Sequence, residues 1–265
     1  MKILSVLINS IFAAFSTYSR IPVPPARWDE ESLRWQICSF PLVGAVIGLI
    51  WCAAGTALRA CGAHPALSGA VLCALPLLLT GGIHMDGYLD TTDAVHSWKP
   101  KEERLRILDD PHIGAFAFIS GAVYLLLYFG LCCQIADSAG GQAALFMMLS
   151  AFIRSRILSG LAAVFFPKSK KQGMLRSVSD ASDRRAGAVL AGWLVILEAG
   201  TCAAAFFMRI PGILTLPAAA CAAFFYYRHM ADARFGGISG DLAGWFLQVS
   251  EIAQLAAAAV YCLLR

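Results

Sequence analysis

The chain has 265 residues, of which 58% are hydrophobic and only 14% charged, with a formal net charge of +4 and a mean hydropathy of +0.67. A soluble domain of this length needs a far more polar surface, which excludes that class. The composition instead predicts an all-α fold, a polytopic transmembrane helical bundle forming one membrane domain over 1–265, with no nucleic-acid partner. Nine cysteines lie in or beside apolar runs without a C-x-x-C pair. They are expected to pack as small hydrophobes, not to form disulfides or a metal site.

In chain order, residues 1–15 imitate a signal peptide but are followed by no small-residue cleavage site, so a retained N-terminal interfacial helix is expected. Seven apolar segments follow, at about 37–60, 65–82, 113–135, 142–166, 186–208, 211–227 and 242–264. If all seven span and the N-terminus is cytoplasmic, sixteen of the 21 Lys and Arg residues fall inside. Only Arg59, Arg209 and Arg265 fall outside, and Arg154 and Arg156 lie within a segment. That asymmetry predicts a multi-pass membrane protein with its N-terminus inside and its C-terminus outside. It puts the loops 18–36, 83–112, 167–186 and 228–241 on the cytoplasmic face, where a site can meet soluble phosphorylated substrates.

The most informative loop is Gly81-Gly82-Ile83-His84-Met85-Asp86-Gly87, continuing to Asp90 and Asp93. Helical stepping of about 100° per residue puts Asp86, Asp90 and Asp93 in one sector, with His84 roughly opposite. Three clustered carboxylates repel one another unless a cation sits between them, and beside a phosphate substrate that cation is expected to be Mg²⁺. Next, Asp109-Asp110-Pro111-His112 leads into Ile113-Gly114-Ala115-Phe116. The acids read as a helix cap or as a second metal or substrate contact, and His112 as an interfacial residue or a phosphate donor.

Arg154 and Arg156 lie deep in an apolar segment, about 200° apart, so both cannot face one groove; one is expected to bind a phosphate or pair with an acid, and the other to snorkel or to sit at a break in the helix. The loop with Lys168, Lys170, Lys171, Arg176, Arg184 and Arg185 suits anionic lipid headgroups or a pyrophosphate. Finally, Gly236-Gly237-Ile238-Ser239-Gly240-Asp241 opens the last segment, which carries Glu251 about two turns inside the membrane. Glu198 is a further intramembrane acid without a motif around it.

Four blocks in this order resemble the cobalamin synthase family (adenosylcobinamide-GDP ribazoletransferase) over nearly the whole chain. They are Phe15-Ser16-Thr17-Tyr18-Ser19-Arg20-Ile21-Pro22-Val23-Pro24, the Gly81–Asp93 motif, Asp109 through Phe116, and Gly236 through Asp241 with Glu251. One departure is visible: Pro111-His112 stand where the family commonly has Ser-Arg. The resemblance implies a Mg²⁺-dependent membrane enzyme. It would transfer adenosylcobinamide phosphate from adenosylcobinamide-GDP to α-ribazole or α-ribazole 5′-phosphate, releasing GMP.

On this reading Asp86, Asp90 and Asp93 are the primary metal site and catalytic group, with Asp93 the general base. Asp109, Asp110, Asp241 and Glu251 are further metal candidates. Arg20, His84, His112, Arg154, Arg156, Lys168, Lys171 and Ser239 are the candidate substrate or phosphate contacts. Membrane lipid is an expected partner, and homo-oligomerisation is left open. The competing expectation is a secondary transporter or cation channel that uses the intramembrane carboxylates.

Overall fold

The computed structural model describes residues 2–170, 174–182 and 184–264. Among them the fold is all-helical, with no strand. The helices are α1 (Lys2–Tyr18), α2 (Glu30–Ala60), α3 (Pro65–Thr80), α4 (Ile83–His96), α5 (Lys101–Ile107), α6 (Ala115–Asp137), α7 (Gly141–Phe165), α8 (Met174–Ala181), α9 (Arg184–Phe207), α10 (Thr215–Phe235) and α11 (Gly240–Leu263). A single 3₁₀ turn, Pro211–Leu214, precedes α10.

Five of these, α2, α6, α7, α9 and α11, are long and apolar enough to cross a bilayer. A sixth crossing is possible only if α3 and α4 count as one, and they meet at 94°. The sequence led us to expect seven. The segment at 211–227 is broken by the 3₁₀ turn, and α10 is apolar in its first half alone, carrying Arg228, His229, Asp232 and Arg234 further on. The segment at 65–82 stops at Thr80 because Gly81 and Gly82 take left-handed conformations (φ 66° and 81°), which turns the acidic α4 across the end of the bundle.

α1 is too short to span, at roughly 25 Å. It lies on α2, where Asn9 donates to Ser32 Oγ (2.6 Å) and Gln36 to Thr17 Oγ1 (2.6 Å). α7 is the most enclosed element. Met147, Met148, Ala151 and Phe152 pack on Val43, Ile47 and Trp51 of α2. Gly44 and Gly48 let these two backbones approach, since a Cβ at Gly48 would lie 2.8 Å from Leu149. Leu126, Val195, Ile196, Phe206, Phe207 and Phe225 point outward, as lipid-facing residues do.

The bundle has two chemically different ends. At one, Arg59 caps the C-terminus of α6 through the Ala136 carbonyl (2.7 Å), and Ser138 donates to Cys262 O (3.1 Å). The other gathers α4, α5, the start of α6, the end of α7 and the start of α11, and it holds almost every motif singled out from the sequence.

Candidate active site

Two features of the backbone build the site. The first is the contact between α4 and α11. A Cβ at Gly87 would meet Asp241 O at 2.6 Å and its Cα at 2.9 Å, and one at Gly244 would meet His84 O at 3.0 Å. Two glycines thus bring the Asp86–Asp90 helix against the start of α11. The second is a short parallel pairing of the chain after α7 with the glycine-rich turn. Ile238 N–H donates to Pro167 O (2.8 Å) and Ser169 N–H to Ile238 O (2.9 Å). This delivers Lys170 to the carboxylates and places Lys168 in the wall of the adjoining pocket, where its Nζ donates to Phe166 O (2.5 Å).

Lys170 Nζ lies 2.8 Å from Asp109 Oδ1 and 2.8 Å from Asp241 Oδ2. Burial disfavours its ammonium form, but hydrogen bonds and charge from the two carboxylates outweigh that and raise its pKa. Asp241 also accepts from Ser239 Oγ (3.2 Å), while Ser239 caps α11 by accepting from Leu242 N–H. Asp90 is pushed up to about 6, by burial first and then by the charges of Asp86, Asp241 and Asp93, against a smaller pull from Lys170. Asp86 is exposed, and Asp90 and Asp93 are half-buried.

Beside this cluster runs a pocket of about 270 Å³, bounded by α2, α4, α7 and α11. Asp86, Lys168, Lys170, Ser239 and Asp241 are its polar wall. His84 also lines it, 5% exposed, and its Nε2 has no hydrogen-bond partner.

The structure redistributes several expected roles. Asp93 shares the Asp sector but turns to the start of α6. It accepts from Ala117 N–H (3.4 Å) and lies so close to Gly114 that any Cβ there would collide with its carboxylate. It is better placed as a cap of α6 than as the general base. Asp109 joins the site through Lys170. Asp110 does not: it accepts from the backbone N–H of His112 (3.0 Å) and then from its ring, which holds its carboxyl below the usual range. His112 is therefore taken up by Asp110 and is exposed, outside the pocket.

Arg154 and Arg156 do not reach the cluster as phosphate ligands. Arg154 forms a two-point ion pair with Glu198 (2.6 and 3.1 Å), with Gln254 (2.9 Å) and Thr201 (3.2 Å) filling its other donors. Arg156 pairs with Glu251, which also accepts from Ser155 (3.2 Å). Glu251 is thus a counter-ion and not a metal ligand, and ten residues along α11 put it about 15 Å from Asp241.

His84 is no phosphate cation either. Burial, and then the nearby Arg156 charge, lower its pKa well below the ordinary value and keep the ring neutral. Arg20 is exposed, folded over Gly81 at the α3–α4 turn and outside the pocket. Lys171 lies outside the described residues. Lys170 was named in the basic loop without a role of its own, and its position depends on the 167–169 pairing, which leaves no mark on the sequence.

Among the described residues no three His, Cys, Asp or Glu side chains converge as a ready-made metal centre. The donor set nonetheless suits a hard divalent cation. It is carboxylate only, dense enough to raise Asp90, and already has an ammonium set between two of its members.

The family model for cobalamin-5-phosphate synthase matches residues 10–259. The chain belongs to the cobalamin-5-phosphate synthase family. Its relatives include the adenosylcobinamide-GDP ribazoletransferase of Lachnoclostridium phytofermentans, 41% identical over 92% of this chain and 91% of the relative. The enzyme of that name from Desulfitobacterium hafniense is 30% identical over 92% and 94%, and that from Clostridium botulinum 26% over 96% and 98%. No solved structure matches the chain. All four sequence blocks fall within or overlap the synthase match, and the last three lie at the charged end of the bundle or lead from it into α11.

Proposed function

We propose that this synthase transfers the adenosylcobinamide phosphate group of adenosylcobinamide-GDP to α-ribazole or its 5′-phosphate, releasing GMP, in a Mg²⁺-dependent reaction on the cytoplasmic face of the bacterial inner membrane. The observation that carries the reading is the clustering of Asp86, Asp90, Asp109 and Asp241 with Lys170 at one end of the bundle. The names of the relatives supply the substrates. The basic 167–185 loop supplies the orientation.

The ribose 3′-hydroxyl of ribazole attacks the corrinoid-side phosphorus of the pyrophosphate. The new P–O bond forms as the bond to the bridging oxygen breaks, and GMP leaves with that oxygen. Asp90, whose pKa is nearest neutrality, accepts the hydroxyl proton. Asp86 and Asp241 would hold Mg²⁺, which when bound neutralises the pyrophosphate oxygens and the leaving GMP. Lys168 and Lys170 contact the phosphate oxygens, Lys170 by exchanging a carboxylate for the substrate.

The transporter reading loses its motivation, because the intramembrane acids Glu198 and Glu251 are each paired with an arginine. The decisive experiment is GMP release by purified protein given adenosylcobinamide-GDP and α-ribazole. Release that needs both substrates and Mg²⁺, and stops with EDTA, is expected. Folded protein that releases no GMP under these conditions would sink the proposal.

A further inference from the structure

The charged cluster accounts for the phosphates but not for the pocket beside it. Burial orders the lining of that pocket. Asp86 and Gly240 are exposed and Lys168, Lys170 and Asp241 half-buried, whereas Phe40, Ile37, Leu247 and Ile238 are 2% exposed or less. The cavity is therefore polar at its mouth and apolar inside. Within the apolar part stands the imidazole of His84. Phe40 is its aromatic neighbour, with ring centroids 6.0 Å apart, and its Nε2 is buried without a partner. A buried polar atom left unpaired costs free energy, on the order of 1–3 kcal/mol, and calls for an explanation.

Resting on the function proposed above, we infer that this pocket binds the dimethylbenzimidazole ring of the ribazole acceptor, with His84 Nε2–H donating to the unsubstituted ring nitrogen. Four ring systems arrive with the two substrates: the corrin, the adenine of its adenosyl group, guanine and dimethylbenzimidazole. A corrin macrocycle with its amide side chains is too large for about 270 Å³. Guanine and adenine are small enough, but their amide, amino groups and ring nitrogens demand several buried partners, whereas the polar side chains of the interior are His84, Ser159 and the Tyr18 phenol among apolar walls. Dimethylbenzimidazole has two methyl groups for the apolar walls and one free acceptor nitrogen, which matches the unpartnered His84 Nε2. The position also suits the chemistry. His84 and Asp86 line the same pocket, one buried and one exposed, so a ring seated at His84 leaves its ribose at the carboxylate mouth.

The test uses the full-length protein in nanodiscs, α-ribazole, and the analogue in which the free ring nitrogen is replaced by C–H (a dimethylindole riboside). Binding by calorimetry and KM for each substrate are measured for wild type and for His84→Phe. Wild type should bind the analogue about tenfold more weakly than α-ribazole, the worth of one hydrogen bond. His84→Phe should bind the two ribosides alike, and should raise KM for α-ribazole about tenfold while KM for adenosylcobinamide-GDP stays within twofold.

The analogue comparison on wild type does not depend on the variant folding. Equal binding of the two ribosides by wild type overturns the inference and leaves the transfer reaction standing. So does an H84F effect confined to KM for adenosylcobinamide-GDP, which would hand the pocket to guanine or adenine. Wild-type protein that binds α-ribazole with the expected discrimination yet releases no GMP would uphold the pocket and overturn the transfer reading instead.

Discussion

Substituting Gly87 tests whether the α4–α11 contact sets the geometry of the carboxylate cluster. In Gly87→Ala the new Cβ falls 2.6 Å from Asp241 O and 2.9 Å from Asp241 Cα. Both are backbone atoms, so neither can rotate away, and the helices must part by several tenths of an ångström. Overpacking of this kind costs about 1–3 kcal/mol. Catalysis should suffer more than stability, because the displaced residue is Asp241 itself, and a misplacement of ~1 Å at a reacting centre costs roughly 100-fold.

Gly244→Ala meets His84 O at 3.0 Å, a contact that a small shift relieves. It should cost under about 1 kcal/mol and a few-fold in rate. Gly200→Ala, with no atom within 4 Å, should leave both unchanged or raise stability slightly. GMP release and thermal unfolding in detergent, measured on all three variants, give the order Gly87, Gly244, Gly200. Full activity in Gly87→Ala with an unchanged melting temperature would refute the argument that this contact positions Asp241.

Three further outcomes follow from the same geometry. Asp90 accepts a proton only when ionised, so kcat should rise with pH through about 6 and level off above it. Asp90→Asn should remove that limb along with most of the activity. Because the folded-state pKa is raised above the unfolded value, Asp90 also stabilises the metal-free protein only while it is protonated. Stability should fall between about pH 4 and pH 6, and Asp90→Asn should flatten that fall in pH-dependent melting.

Glu251→Leu strands the Arg156 guanidinium at 1% exposure and should destabilise by about 3–5 kcal/mol, most of it recovered in the double variant Arg156→Met/Glu251→Leu. Thermal unfolding of the three proteins checks this. Lys170→Met removes the cation between Asp109 and Asp241. It should tighten Mg²⁺ binding to the substrate-free protein about fivefold while raising KM for adenosylcobinamide-GDP, read by calorimetry and steady-state kinetics.

The sequence carried the local part of this arrangement and missed the long-range part. Helical stepping alone separated His84 from the Asp sector, and the structure has His84 buried and Asp86 exposed on the same turn. Depth and angular spacing alone showed that Arg154 and Arg156 cannot share one groove, but the expected snorkelling or helix break gives way to two acid partners on an unbroken α7. The identity of those partners was not legible, because Glu198 and Glu251 lie 44 and 95 residues away on other helices. The 94° turn after α3 was signalled by Gly81-Gly82, but two glycines permit a bend without fixing its angle. Lys170 was the hardest residue to place, since only the pairing of Pro167 and Ser169 with Ile238 distinguishes it from its basic neighbours.

These placements divide the cations by what it costs to release them. Arg154 and Arg156 are 1% exposed; Arg156 holds Glu251 (2% exposed) inside the bundle, and Arg154 holds Glu198 (31% exposed) on the outer, membrane-spanning α9. Lending either guanidinium to a phosphate would leave Glu251 uncompensated in the packed interior or Glu198 uncompensated on a membrane-spanning helix, a penalty of several kcal/mol that one phosphate contact does not offset. Lys170 is 23% exposed, and its partners Asp109 and Asp241 are 69% and 28% exposed. Water and an incoming cation can take over both carboxylates when the ammonium swings away. An ammonium on a flexible stem suits that exchange, whereas a two-point guanidinium pair resists it. The arginines that first look like phosphate ligands therefore bind helices, and the charge that meets the pyrophosphate comes from the loop.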